Sequence, residues 1–428
     1  MSKTKQSTLF NQHVKSDKKK STSTFVNNMK LPIHRWFRYS AGFSAEWVAD
    51  VTKNFDKSIH LFDPFVGSGT TVLAGELSGI ESSGIEAHPF IFRVAKAKLM
   101  WDADLDDFYN LSNKILKTAK KMESSTPEYP QLIKKCYAKD SLSELHNLRE
   151  VWLSNHDGSD ISELTWLALV CILRKTSTAG TAPWQYVLPN RKKKNILNPF
   201  KAFSDQVNMM IDDMRFFQKH VKVRKGRIYG GDARNCSQID DNSVDLILTS
   251  PPYPNNYDYA DSTRLEMSFF GEIAGWGDLQ NKVRKYLVRS CSQHMRTRTD
   301  DLDEILKEKK LKPILTELRE VCYNLEEERH LHGGKKNYHL MVAAYFADLS
   351  KVWHALRRVC KDNSKVCFVV GDSAPYGIYV PVDKWLGELA ISAGFKSYNF
   401  EKIRDRNIKW KNRKHRVPLH EGHLNIEG

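Results

Sequence analysis

The sequence predicts an α/β fold: a doubly wound, mainly parallel sheet cut by two mainly helical insertions. Three observations predict it. The stretch "SIHLFDPFVGSGTTVLAGELSG" followed by "SSGIEAHPF" reads strand, glycine turn, helix, strand, acid, the order used by nucleotide-binding α/β sheets. The same grammar returns at residue 227 with "RIYGGDA" and "VDLILTSPPY". Between and after these blocks, residues 105–226 and 275–337 lose strand character and read as helical and irregular.

Taken in order, residues 1–30 are polar and lysine-rich and are expected to form a disordered basic tail. Residues 31–104 form the first half of the sheet. Ser44 can cap a helix that puts Trp47, Val48 and Val51 on one face. Ile59, Leu61 and Phe62 read as a strand, "DPFVGSGTT" as a tight turn, and "TVLAGELSG" as a helix stopped by a glycine. A second strand ends in Glu86, and "PFIFRVAKAKLMW" is a second helix. In the first insertion, 105–226, the stretch "RKTSTAGTAPWQYVLPNRKKK" is loop-like. The second half of the sheet is expected over 227–274, with one strand ending in Asp232 and the next running to Ser250. After the charged insertion 275–337, residues 338–428 supply the rest. These are the amphipathic helix "YHLMVAAYFADLSKVWHALRRVC", the buried strand "KVCFVVGDS", another helix, and a final hairpin starting in "KSYNFEKIRDR".

Two turns carry chemistry. Gly67 and Gly69 let backbone approach a ligand with no Cβ in the way. Glu86, 17 residues after Gly69, is placed to accept from two ribose hydroxyls, and Asp232 from an adenine amino group. The turn lacks the Gly-x-x-x-x-Gly-Lys-Ser/Thr of a phosphate loop and does not match Gly-x-Gly-x-x-Gly, so the expected ligand is a nucleoside without phosphates, and S-adenosylmethionine fits. The second turn is "TSPPY". Pro251 and Pro252 cannot continue a strand ladder and stiffen the corner. The Ser250 hydroxyl and neighbouring carbonyls form a cluster of acceptors able to hold an exocyclic amine, and Tyr253 offers a face for stacking a base. A duplex base must be flipped out to reach such a pocket.

These residues carry a resemblance. "DPFVGSGTT" and "GDARNCSQIDDNSVDLILTSPPY" resemble the cofactor and catalytic motifs of the S-adenosylmethionine-dependent DNA amino-methyltransferases, the cytosine-N4 and adenine-N6 family, of SPPY type. The resemblance covers about 34–104, 227–272 and 338–403, and leaves out the insertions. It implies a Rossmann-like methyltransferase sheet. It also implies cofactor roles for Asp63, Phe65, Gly67, Gly69, Glu86 and Asp232, with Ser44 near the methionine end, and base-pocket roles for Ser250, Pro251, Pro252 and Tyr253. Serine at the first position of the catalytic motif is the form seen mostly with cytosine N4. Adenine N6 is the alternative, and an RNA methyltransferase the third reading. No Pro-Cys motif supplies the thiolate nucleophile that carbon-5 methylation needs. The likeness implies restriction–modification as the setting, with a restriction endonuclease as partner. The wide separation of the two motifs departs from familiar arrangements and leaves the target-reading region open. The first insertion is the favoured candidate, and 275–337, rich in glutamate, is its rival.

Composition agrees with a nucleic-acid partner. The 428 residues carry a net charge of +15. The excess is clustered in 1–30, 191–227 and 404–416, while the remainder is mildly acidic. Arg191, Lys192, Lys193 and Lys194 are candidate phosphate contacts, and Trp184 and Tyr186 candidate stacking or core residues. In the tail, Gln6 followed by Leu9 and Phe10 resembles the short peptides that dock on replication sliding clamps. Seven scattered cysteines, none in Cys-x-x-Cys, are expected as buried thiols without a metal site. No apolar run is long enough to span a membrane, and the expectation is a cytoplasmic protein held on the nucleoid by its DNA.

Overall fold

The computed structural model describes residues 25–40, 42–125, 128–182, 185–220, 222, 226–255, 257–295, 300–406 and 417–428. The clamp-like residues Gln6, Leu9 and Phe10, the candidate Trp184, and most of the last basic cluster lie outside the described residues.

A seven-stranded sheet forms the centre, in the order β5-β2-β1-β6-β7-β9-β8. Its strands are β1 (His60–Asp63), β2 (Glu81–Glu86), β5 (Arg227–Gly230), β6 (Val244–Thr249), β7 (Cys360–Gly371), β8 (Ser397–Arg406) and β9 (Leu419–Glu427). The five from β5 to β7 are parallel. β9 runs antiparallel between β7 and β8, completing the expected final hairpin.

The central strands are apolar because both faces are covered. Side-chain alternation sends Leu61, Leu246, Leu248 and Val369 to one face, against Trp47 and Val48 of the helix Ala45–Thr52. Phe62, Ile247, Val366 and Phe368 go to the other face, beneath the helices Tyr338–Val359 and Val382–Ser392. The first insertion builds a layer of its own: the helices Leu105–Ala119, Lys139–Asn155, Asp160–Thr176 and Pro199–His220 bury one continuous core with Phe90, Ile91 and Val94.

Two local expectations change. The stretch expected as a loop is a two-stranded antiparallel ribbon, β3 (Ala179–Thr181) and β4 (Val187–Lys192). Its alternation is too short to register as strand, and cross-strand pairing decides it. The tail expected to be disordered through residue 30 ends in a 3-10 helix, Phe25–Lys30. Asn28 explains this: it donates to Phe43 O at 2.8 Å and accepts from Ala45 N at 3.0 Å, inside the fold. All seven cysteines are free and buried, as expected. Among the described residues, no helix is long and apolar enough to cross a membrane.

From β1 the chain steps outward through β2 to β5, and on the other side from β6 to β7. The strand order therefore reverses between β1 and β6. In open α/β sheets, ligands bind at the carboxyl ends of strands at such a reversal.

Candidate active site

One cavity opens at that reversal. Its wall includes Phe65, Gly67, Glu86 and Asp232 from the predicted cofactor set, and Ser250 and Pro252 from the predicted base pocket. Residues distant in sequence thus converge on a single space.

The glycine turn is wired by short bonds, most of them local and one reaching across to β6. Asp63, at the end of β1, is fully buried and accepts from Phe65 N at 2.9 Å, Thr71 Oγ1 at 2.6 Å and Thr249 Oγ1 at 2.5 Å. It therefore locks the turn to the start of the helix Thr70–Ser78 and to the end of β6, and does not line the cavity. Burial raises its carboxyl to about 6 against the pull of those three bonds. Gly67 has φ +53°, and a Cβ there would sit 3.0 Å from the Tyr39 ring. Gly69, φ +90°, is the left-handed cap of the helix Thr70–Ser78. Ser44 caps the helix Ala45–Thr52 by accepting from Trp47 N; its neighbours Gly42 and Phe43 line the cavity in its place.

Glu86 accepts from Gly67 N at 2.9 Å through one oxygen and from His88 N at 2.7 Å through the other. A carboxylate has about four lone-pair sites, so these bonds leave it capacity to accept further donors. Burial, opposed by these two bonds, pushes its carboxyl up to about 7. Phe65, Ile85, Ala233, Leu287 and Val288 supply an apolar wall beside it. An apolar slot flanked by a two-oxygen acceptor and a glycine cradle fits the ribose and base of an adenosine-type ligand. Asp232 also lines the cavity; Arg234 Nε lies 2.9 Å from both of its carboxylate oxygens.

The proline corner is wired across long stretches of chain. Ser250 Oγ donates to Val369 O on β7 at 3.2 Å and also meets the Tyr253 side chain. Tyr253, like Pro251, is not among the residues that line the cavity; the Arg406 guanidinium carbon lies 5.0 Å from its ring centroid. Behind the corner, Asp258 is buried and takes an ion pair from Arg284, whose Nε is 3.0 Å away. Burial opposes ionisation of Asp258, yet contacts from His294 and Arg284 outweigh it and hold its carboxyl at about 2. Asp258, Cys291 and His294 bring ligand-type atoms within 4.8 Å of one another, but Arg284 already neutralises Asp258.

Several wall residues escaped sequence reading: Tyr39, His88, Tyr259, Tyr286, Leu287 and Val288. Tyr286 to Val288 come from the second insertion, which therefore closes the cavity. His88 held one available signal, its place two residues after Glu86. Burial lowers it to about 4, so its ring is neutral at ordinary pH.

The ribbon of the first insertion is pinned to both sides of the site. Gln185 accepts from Ser40 N at 2.7 Å and donates to Arg38 O at 2.8 Å, next to Tyr39. Tyr186 OH accepts from Asp258 N at 2.6 Å, so this ring is anchored to the corner. Arg174 bridges the insertion to Glu266 and Ser262, and donates to Gln185 O within it. Arg191, Lys192 and Lys194 are exposed on the ribbon and just after it, whereas Lys193 turns inward to the Arg174 carbonyl.

Comparison with known proteins points the same way. No protein-family model matches the chain. It is 25% identical to the type II methyltransferase M.BsoBI of Geobacillus stearothermophilus over 427 aligned residues, which span 90% of this chain and 82% of that protein. It is also 25% identical to the type II methyltransferase M.AvaI of Nostoc sp. over 410 residues, 89% of this chain and 82% of the relative. M.AvaI of Anabaena variabilis matches equally. The chain is similar to type II methyltransferases.

Proposed function

We propose that this protein methylates DNA at a specific site within a restriction–modification system, using S-adenosylmethionine, and that its target is the N4 amine of cytosine. The observation that carries the reading is the shared cavity: Gly67 and Glu86 on one wall, Ser250 and Pro252 on the other. The similarity to type II methyltransferases supports the reaction class, and serine before the two prolines supports cytosine.

S-adenosylmethionine supplies an electrophilic methyl group when bound. Glu86 accepts from the two ribose hydroxyls with its remaining lone pairs, and the backbone at Gly67 allows close approach. Ser250 accepts one amine hydrogen of the extruded base and keeps the nitrogen lone pair directed at the methyl group. Fixed acceptors at that point stabilise the positive charge that grows on the nitrogen, with no reorganisation during transfer. Exposed Arg191, Lys192 and Lys194 contact phosphates and set the position of the duplex without reading its sequence.

The test is transfer of labelled methyl groups to duplex DNA by the wild type and by the Ser250→Ala and Tyr253→Ala variants, followed by mass spectrometry of the digested nucleosides. N4-methylcytosine from the wild type and loss of transfer in both variants are expected. N6-methyladenine would move the target to adenine. Undiminished transfer in both variants would remove the corner from the chemistry.

A further inference from the structure

We propose that Arg406 is a positioning residue of the base pocket, holding the Tyr253 ring from one face so that the opposite face receives the extruded base. This rests on the reading of the proline corner given above.

Three features fix Arg406 in place. Its guanidinium lies over the Tyr253 ring, 5.0 Å from the centroid, where the negative face of the ring attracts a cation. Its Nη1 donates to the Asp372 backbone carbonyl at 2.6 Å. Its stem and head fill a notch left by Gly371: a Cβ at that glycine would lie 2.6 Å from Nη1 and 3.1 Å from Cδ and Cζ. Gly371 is the last residue of β7, and its φ is not left-handed. Glycine serves here as space for Arg406, and the turn makes no demand for it.

The anchor is itself anchored. The Asp372 carboxylate accepts from His420 N at 2.7 Å, and its other oxygen lies 2.8 Å from His420 Nδ1. The ends of β7, β8 and β9 therefore hold one guanidinium plane above the tyrosine that follows the two prolines. Tyr253 turns about only two side-chain torsions, and a planar cation held on one face limits both. A base stacked on the other face completes a base–tyrosine–guanidinium stack. A lysine keeps the charge but loses the plane that fits the notch.

The experiment compares the wild type with Arg406→Ala, Arg406→Lys and Gly371→Ala. The last displaces the guanidinium while leaving Arg406 and Tyr253 intact, and keeps the test open if Arg406→Ala does not fold. After the methylated site is mapped, 2-aminopurine is placed beside the target base in a duplex, and its fluorescence reports extrusion. We expect Arg406→Ala and Gly371→Ala to lower both the extrusion equilibrium and kcat by about tenfold, the low end of what one base–aromatic stack contributes. Arg406→Lys should fall between them and the wild type, with the cofactor dissociation constant unchanged in all three and duplex affinity weakened by no more than the lost extrusion accounts for. Wild-type extrusion in Arg406→Ala would overturn the inference. So would unchanged extrusion with weaker duplex binding and a salt slope reduced by about one, the mark of a phosphate contact. A wild type that neither extrudes a base nor methylates DNA would instead bring down the reading beneath it.

Discussion

The two walls of the cavity are held by different means. On the glycine wall, Asp63 meets Phe65 and Thr71, and Glu86 meets His88, within a few residues of themselves, with Thr249 of β6 and Gly67 adding longer-range bonds to the two acids. On the proline wall, Ser250 leans on Val369, Tyr253 on Arg406, and Asp258 on Arg284. Amides and hydroxyls, most of them nearby, hold the first wall, whereas a β7 carbonyl, a cation over a ring and a buried ion pair, all from distant elements, hold the second. On the proposed reading, the wall that would receive a small cofactor is built mostly by its own turn, and the wall that would receive a base from a large polymer by what the rest of the fold brings to it.

That contrast can be broken at several points. The largest effect is expected at Arg284→Met, which removes the guanidinium paired with the buried Asp258 carboxylate and should lower the unfolding free energy by about 3–5 kcal/mol, as measured by denaturant titration. The carboxyl of Asp258 is held low in the fold, so its contribution is present above the unfolded value near 4 and is lost as pH falls toward about 2. A loss no larger than that of a surface pair would erase the distinction between the walls. Next is Gly67→Ala, which forces a left-handed alanine against Tyr39. It should cost about 1–3 kcal/mol in thermal unfolding and weaken cofactor binding in calorimetry, leaving the corner intact.

Glu86 tests the cofactor wall by pH. Its carboxyl is raised to about 7 and must be ionised to accept from both hydroxyls. Cofactor affinity should therefore fall about tenfold from pH 8 to pH 6, and Glu86→Gln should flatten the profile. Stability of the cofactor-free protein moves the other way. The folded state takes up a proton that the unfolded chain does not bind, so stability rises as pH falls from about 7 toward the ordinary glutamate value. The smallest effect belongs to the ribbon. Lys192→Ala should reduce the slope of log affinity for duplex DNA against log salt by about one, with kcat unchanged.

Much of this site was legible before any coordinates. The turn "DPFVGSGTT" with Glu86, and the corner "TSPPY", could be read because each concentrates unusual backbone demands in a few adjacent residues. The role of Asp63 was less legible: its place in the motif suggested ligand contact, whereas it ties three elements together from behind. The ribbon at 179–192 was read as a loop because strands this short take their identity from the partner strand.

Sequence alone determined the α/β class, the two turns and the acid after the first, since these depend on local spacing, strand alternation and the few residues that tolerate a given backbone shape. Only the tertiary structure decided that both turns share one cavity, that Tyr286 to Val288 close it, and that Arg406 covers Tyr253. Contacts between residues so far apart leave no periodic trace in the chain; they exist only once sheet order has set which strand ends lie side by side.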